Sequence, residues 1–144
     1  MQELLFNLEK PFNVWQIITG LIAYNVIGMI WHGLLFNKPW MTAVGFTKEM
    51  MEQGDFKEKS LKYFLISEVF NLISVFGYAI LINALVTTVS DLFILVILLW
   101  ITISVHQHSA AVLWERRPPR LFFINAGHSL FSLVLIGYLI YYLK

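Results

Sequence analysis

Four long stretches without a charged residue dominate the hydrophobic and polar pattern of this chain. Residues 11–37, 69–90, 92–114 and 121–143 contain no Lys, Arg, Asp or Glu. Each stretch is long enough for a helix that crosses the hydrocarbon core of a bilayer, which takes about 20 residues. All prolines fall at the ends of these stretches or between them, which favours uninterrupted helices. The pattern therefore predicts an all-α fold, a four-helix transmembrane bundle.

The lengths of the apolar stretches predict where the helices lie. We place them at about 12–36, 61–86, 90–114 and 120–143. The loop at about 37–60 is the longest, and Thr47 in it is placed to cap a short helix that Gly54 ends. Because little chain is left outside the helices, we expect residues 1–144 to form a single integral-membrane domain.

Composition supports a membrane protein and excludes several kinds of function. Hydrophobic residues make up 58% of the chain, against about 45–50% in ordinary globular proteins. The absence of cysteine excludes disulfides, thiolate metal sites and cysteine nucleophiles. A formal net charge of +1 gives no basic surface suited to nucleic acid.

The basic residues predict the orientation in the membrane. Eight of the ten Lys and Arg residues lie in or beside the first and third loops: Lys38, Lys48, Lys57, Lys59, Lys62, Arg116, Arg117 and Arg120. Basic loops remain on the cytoplasmic side, so we expect both termini to lie outside the cytoplasm. The three arginines are interpreted as a charge cluster that sets this orientation. Alternatively, they contact an anionic lipid headgroup or a substrate phosphate.

Polar side chains inside the helices gather in the half nearest the basic loops. Helical spacing gives each helix one polar face there, and such residues usually face the bundle interior rather than lipid. The pattern predicts one polar layer around a cavity that opens to the cytoplasm. The residues expected to line a ligand site are His32, Glu68, Asn71, His106, Asn125 and His128.

Glu68 and the histidines carry the candidate chemistry of this layer. Glu68 is the carboxylate deepest in a span, and it is either a site for a proton or cation or a hydrogen-bonded glutamate near a helix end. His106 and His108 point about 200° apart on a helix, so they do not bind one ion together. Two histidines on facing helices suit a haem, but no ligand spacing supports a metal or haem site, so no cofactor is predicted.

The sequence predicts binding rather than catalysis. It holds no GxSxG or HExxH motif and no phosphate-binding glycine loop, so we assign no catalytic residue and expect the protein not to be an enzyme. The leading hypothesis is a protein that binds or transports a small molecule, an ion or a lipid headgroup. The alternatives are an assembly protein whose polar layer only fixes helix packing, and a haem- or metal-binding redox protein. We expect a small homo-oligomer in contact with membrane lipids.

Two segments carry a family resemblance. Residues 28–41 read G-M-I-W-H-G-L-L-F-N-K-P-W-M, followed by G-F-T at 45–47. Residues 115–128 read E-R-R-P-P-R-L-F-F-I-N-A-G-H. These segments resemble the bacterial family called domain of unknown function 1761, which typically reads G-x-x-W-Y-x-x-L-F-G-K-x-W-M, then G-L-T, and later E-x-R-P-W-x-L-F-L-I-N-A-G-Y. The similarity extends over the whole chain in order and length.

The resemblance implies a small polytopic protein of the bacterial cytoplasmic (inner) membrane, with no assigned activity. It gives weight to Trp31, Lys38, Trp40, Asn125 and Gly127 as positions that matter to the family. His32 and His128 stand where the family usually has tyrosine. Because the two positions depart from the pattern in the same way, we predict that residues 32 and 128 meet in space.

Overall fold

The structure is a computed structural model that describes residues 13–52 and 56–144. Within these ranges it contains helices and no strand. The helices are α1 Val14–Gly28, α2 Asn37–Val44, α3 Lys48–Glu52, α4 Phe56–Leu85, α5 Val89–Leu99, α6 His106–Leu113 and α7 Pro119–Tyr142. Two π-helical segments, Met29–Leu35 and Trp100–Val105, continue α1 and join α5 to α6.

Four spans are long and apolar enough to cross a membrane, which confirms the predicted all-α four-helix transmembrane bundle. The first to fourth spans are Val14–Leu35, Lys59–Leu85, Val89–Leu113 and Pro119–Tyr142. Their ends differ by one or two residues from those expected from the sequence. We call the end of the bundle that carries the loops around Lys38 and Arg116 the basic end.

Local chemistry explains where the helices begin. The Asn13 side chain accepts a hydrogen bond from the Trp15 N–H at 3.0 Å and caps α1. Thr88 and Asp91 form a reciprocal capping box that starts α5 after a tight turn. The Thr47 hydroxyl accepts from the Met50 N–H at 3.3 Å, so α3 begins at the predicted cap. Gly54, expected to end that helix, lies outside the described residues.

The fourth span is the centre of the bundle because it packs against each of the other three. The first span also packs against the second. The fully buried core lies away from the basic end, and it includes Val75, Ile82, Val96, Ile136 and Ile140. This half of the bundle is therefore closed by tight apolar packing.

A pair of amides crosses this closed half. Gln16 is 1% exposed, and its Nε2 donates to Asn83 Oδ1 at 3.1 Å and to the Ile140 carbonyl at 3.0 Å. Asn83 Nδ2 donates back to Gln16 Oε1 at 3.0 Å. The two side chains thus satisfy each other and join the first, second and fourth spans, as polar residues between membrane helices do.

Two glycines permit the closest approach between spans in the core. A Cβ on Gly20 would lie 2.7 Å from Val75 Cγ1, and a Cβ on Gly137 would lie 2.5 Å from the Tyr78 hydroxyl oxygen. Distances this short are not tolerated without movement of the neighbour. The second span therefore packs against the first and fourth at points where only glycine fits.

The π-helical segments are a departure from the uninterrupted α-helices expected from the proline positions. In the first, the Phe36 N–H donates to the Trp31 carbonyl at 2.8 Å, a bond that spans five residues. A π-helix places more residues in a turn than an α-helix, so the residues that follow are rotated about the helix axis. Both segments lie in the half of the bundle nearest the basic end.

Candidate ligand-binding cavity

The half of the bundle at the basic end contains an open cavity of about 610 Å³, which we call the polar cavity. All four spans line it. His32 comes from the first, Asn71 from the second, His108 from the third, and Asn125 and His128 from the fourth. Serines on the second, third and fourth spans complete the walls. The polar faces of the four helices are thus turned toward one another.

His32 and His128 meet on one wall of the polar cavity, as the paired departures from the family pattern predicted. Their ring centroids lie 4.8 Å apart. His32 Nδ1 and His128 Nε2 are buried. The ring of Tyr24 stands edge-on to His128 with centroids 5.9 Å apart. Neither ring nitrogen has a hydrogen-bond partner in the part of the chain that the structure describes.

Glu68 is held by two amides beside this wall. Asn25 Nδ2 donates to Glu68 Oε2 at 2.8 Å, and Asn71 Nδ2 donates to Glu68 Oε1 at 2.9 Å. An open compartment of about 390 Å³, with exposed Phe64 and Ser67 in its walls, lies against the Glu68 side chain. It shares Tyr24 and His32 with the polar cavity, so the two spaces adjoin. The amide bonds fix the position of both carboxylate oxygens.

The structure places His108 rather than His106 at the polar cavity. His106 has an exposed side chain and belongs to none of the described cavities, whereas His108 and Gln107 line the wall. The π-helical segment Trp100–Val105 comes directly before these residues and rotates them relative to a continuous α-helix. Ser104, within that segment, also lines the cavity. His106 therefore does not join the other predicted site residues.

The tryptophans of the family motif support the site from outside. Trp31 Nε1 donates to the Ile124 carbonyl at 2.9 Å, and a Cβ on Gly127 would lie 3.1 Å from Trp31 Cζ2. The Trp40 ring lies 5.3 Å from His32 between centroids. Lys38 is exposed. Trp31, Trp40 and Gly127 thus pack around the histidine pair, whereas Lys38 lies at the surface.

Replacing Trp31 with phenylalanine is expected to lower the free energy of unfolding by about 1 kcal/mol, because the Ile124 carbonyl loses its indole donor. The same change at Trp114, which is 84% exposed, serves as the matched control and should have little effect. Denaturant titration in detergent, followed by far-ultraviolet circular dichroism, measures both variants. Equal stability of the two would contradict a structural role for the Trp31 N–H.

The three arginines lie at the turn between the third and fourth spans and are exposed. Arg117 Nε lies 3.6 Å from Glu115 Oε2, a distance typical of a weak surface ion pair. Arg116 adopts a left-handed backbone conformation with φ of 56°, which closes the tight turn. Arg117 also borders a small space of about 10 Å³ beside His108 and Asn125. Arg116 and Arg120 border none of the described cavities.

A narrower pocket of about 170 Å³ extends from the polar cavity toward the closed half of the bundle. Tyr78, Leu133 and Ile136 give it apolar walls. The Ser132 hydroxyl lies in this pocket, buried and without a hydrogen-bond partner. The position of Ser132 at this pocket could have been predicted from the sequence, because Ser132 follows His128 by four residues on the same helix face.

A closed apolar half and a polar half with a cavity define a small polytopic membrane protein. The chain belongs to the DUF1761 family, described as "Protein of unknown function", whose family model matches residues 15–141. The similarity expected from the two motifs is thereby confirmed. Searches of curated proteins and of solved structures gave no match.

Proposed function

We propose that this protein binds a small molecule in the polar cavity, as a non-enzymatic binding protein or a component of a transporter. One observation carries the proposal. His32, His128 and Ser132 line adjoining spaces, and among the described residues their buried atoms His32 Nδ1, His128 Nε2 and Ser132 Oγ have no hydrogen-bond partner. A buried polar group without a hydrogen bond costs about 1–3 kcal/mol. A rotation of these side chains toward a bound molecule would satisfy the atoms and remove that cost.

The walls of the polar cavity support access from the basic end and from the side. Ser67 and Ser74 on the second span and Gln107 on the third line the cavity and are exposed. The cavity therefore opens between these two spans. We propose that the basic end faces the cytoplasm, with both termini outside, because basic loops are retained on that side. A ligand then enters from the cytoplasm or from the inner leaflet.

The main alternative is an assembly protein whose polar residues only fix the packing of the helices. The amide pair of Gln16 and Asn83 has this purely structural character, since each side chain satisfies the other. His32 and His128 differ because one buried ring nitrogen of each has no hydrogen-bond partner among the described residues. The geometry therefore favours ligand binding at the basic end and structural locking in the closed half.

A haem between His32 and His128 receives less support. With metal–nitrogen bonds of about 2 Å, imidazole centres on opposite faces of a porphyrin lie about 6 Å apart. The observed separation of 4.8 Å is too short. Among the described residues, no group of three His, Cys, Asp or Glu side chains is placed to hold a metal ion.

Native mass spectrometry of the full chain in lipid nanodiscs tests the proposed function. We expect a non-lipid mass to accompany the purified protein, to be lost in His128→Ala and to be retained in His106→Ala. The second variant removes the same side chain from an exposed position outside the cavity. The same spectra report how many copies assemble. A protein that carries no additional mass, or equal retention by both variants, would contradict the proposal.

A further inference from the structure

The Glu68 carboxyl group is partly buried within the second span, and its surroundings fix its orientation. Asn25 and Asn71 each donate one amide N–H, to different oxygens of the same carboxylate. Asn25 belongs to the first span and Asn71 to the next turn of the second. The carboxylate is therefore held from two helices in one orientation, and each oxygen keeps a lone pair for a further donor.

No basic side chain neutralises this carboxylate in the part of the chain that the structure describes. Among the described residues, no Lys or Arg forms an ion pair with Glu68, and none lines the polar cavity or the compartment beside Glu68. Arg117 borders only the small space near the loop. An isolated carboxylate away from water is costly, and such groups within spans usually pair with another charge. The described residues therefore supply no positive charge for this carboxylate, and a cationic ligand is the complementary partner.

The two amides disfavour a calcium or magnesium ion at this position. Calcium and magnesium require six or more oxygen ligands around the ion. Here Asn25 and Asn71 turn their N–H groups toward the carboxylate, so their oxygens point away from it. The remaining lone pairs of the Glu68 oxygens suit N–H donors. An ammonium or guanidinium group offers such donors together with the positive charge.

The walls around Glu68 fit an organic molecule. The compartment of about 390 Å³ has aromatic side chains from both helices, Tyr24 and Phe64, and it adjoins the unpartnered nitrogens of the histidine pair. Aromatic faces attract cations. We infer that the ligand is an organic cation of the ammonium or guanidinium class, whose charge pairs with Glu68 and whose body extends toward His32 and His128. This inference rests on the proposed function, because it names the ligand class of the same site.

Three probe molecules of similar shape distinguish the effect of ligand charge on binding from the effect of ligand size. Phenethylammonium, phenethyl alcohol and phenylacetate share an aromatic ring and a two- or one-carbon arm, and they are cationic, neutral and anionic. Isothermal titration into the full chain in nanodiscs measures the dissociation constant of each. We expect phenethylammonium to bind about tenfold or more tightly than the alcohol, with phenylacetate weakest, because only the cation completes a charge-assisted hydrogen bond.

Variants of Glu68 test whether its carboxylate causes the preference for the cationic probe. Glu68→Gln is expected to remove the preference for the cation, and Glu68→Asp to retain part of it, since the charge remains but is withdrawn by one methylene. Glu52→Gln removes an exposed carboxylate outside the site and should change nothing. Thermal unfolding of each variant establishes that it is folded, and Glu68→Asp carries the test if Glu68→Gln does not fold.

The outcomes separate this inference from the proposed function. Equal binding of cation and alcohol, or no loss of cation binding in folded Glu68 variants, overturns the organic-cation assignment. Failure of the wild-type protein to bind the cation also overturns it. In each case, a co-purifying neutral or anionic molecule that His128→Ala releases would leave the proposed function standing.

Discussion

Replacing Gly137 with alanine is expected to destabilise the bundle by about 2–4 kcal/mol, as overpacking is added to a lost hydrogen bond. The new Cβ would lie 2.5 Å from the Tyr78 hydroxyl oxygen and 3.1 Å from Leu92 Cδ1. The Tyr78 hydroxyl donates to the Leu133 carbonyl at 2.9 Å, so it cannot move away without breaking that bond. Reversible unfolding in mixed micelles, followed by circular dichroism, measures the loss.

Two further variants make the Gly137 prediction specific. Gly77→Ala is the matched control, because no side chain lies within 4 Å of its new Cβ and alanine favours a helix. It should leave stability unchanged or raise it. Combining Gly137→Ala with Tyr78→Phe removes the hydroxyl from the closest contact and should recover part of the lost stability. If Gly137→Ala behaved like Gly77→Ala, the close packing of the second and fourth spans would be wrong.

Replacing Gln16 with leucine is expected to cost about 2 kcal/mol of stability, which makes it the second large effect. The change leaves the partly buried Asn83 amide without its reciprocal partner and removes the donor to the Ile140 carbonyl. An unpaired amide in an apolar interior costs about 1–3 kcal/mol, and bonds between membrane helices average somewhat less. The same unfolding assay measures the difference.

A double-variant cycle isolates the amide pair. If Asn83 is also replaced by leucine, both partners become apolar, and the unpaired amide disappears. The double variant should therefore be more stable than the sum of the single changes implies, by about 1 kcal/mol. Purely additive losses would show that the two amides do not depend on each other.

The spans were predictable from the sequence because membrane crossing imposes a length and an apolar composition that few other structures share. The ends at Leu35 and Pro119 lie close to those expected. The convergence of His32, Asn125 and His128 on one cavity also followed from helical periodicity, since lipid excludes their polar side chains. The contact between residues 32 and 128 came from comparison with the family pattern.

Other parts of the site were not accessible from periodicity alone. The π-helical segment Trp100–Val105 shifts the register of the third span, so His108 rather than His106 reaches the cavity. A pattern with 3.6 residues per turn contains no such shift. The hydrogen-bond partners of Glu68 could not be predicted either, because they depend on how the first span is rotated against the second. The closeness of Gly137 to Tyr78 likewise depends on how the fourth span is rotated against the second.

The fourth span is synthesised after the other three, although each of the other three packs against it. During synthesis the first and second spans can already pack against each other, whereas the third makes its most extensive described contacts with the fourth. The third span therefore lacks most of its packing partners until the fourth has entered the membrane. A chain interrupted before Pro119 would leave the packing surface of the third span facing lipid.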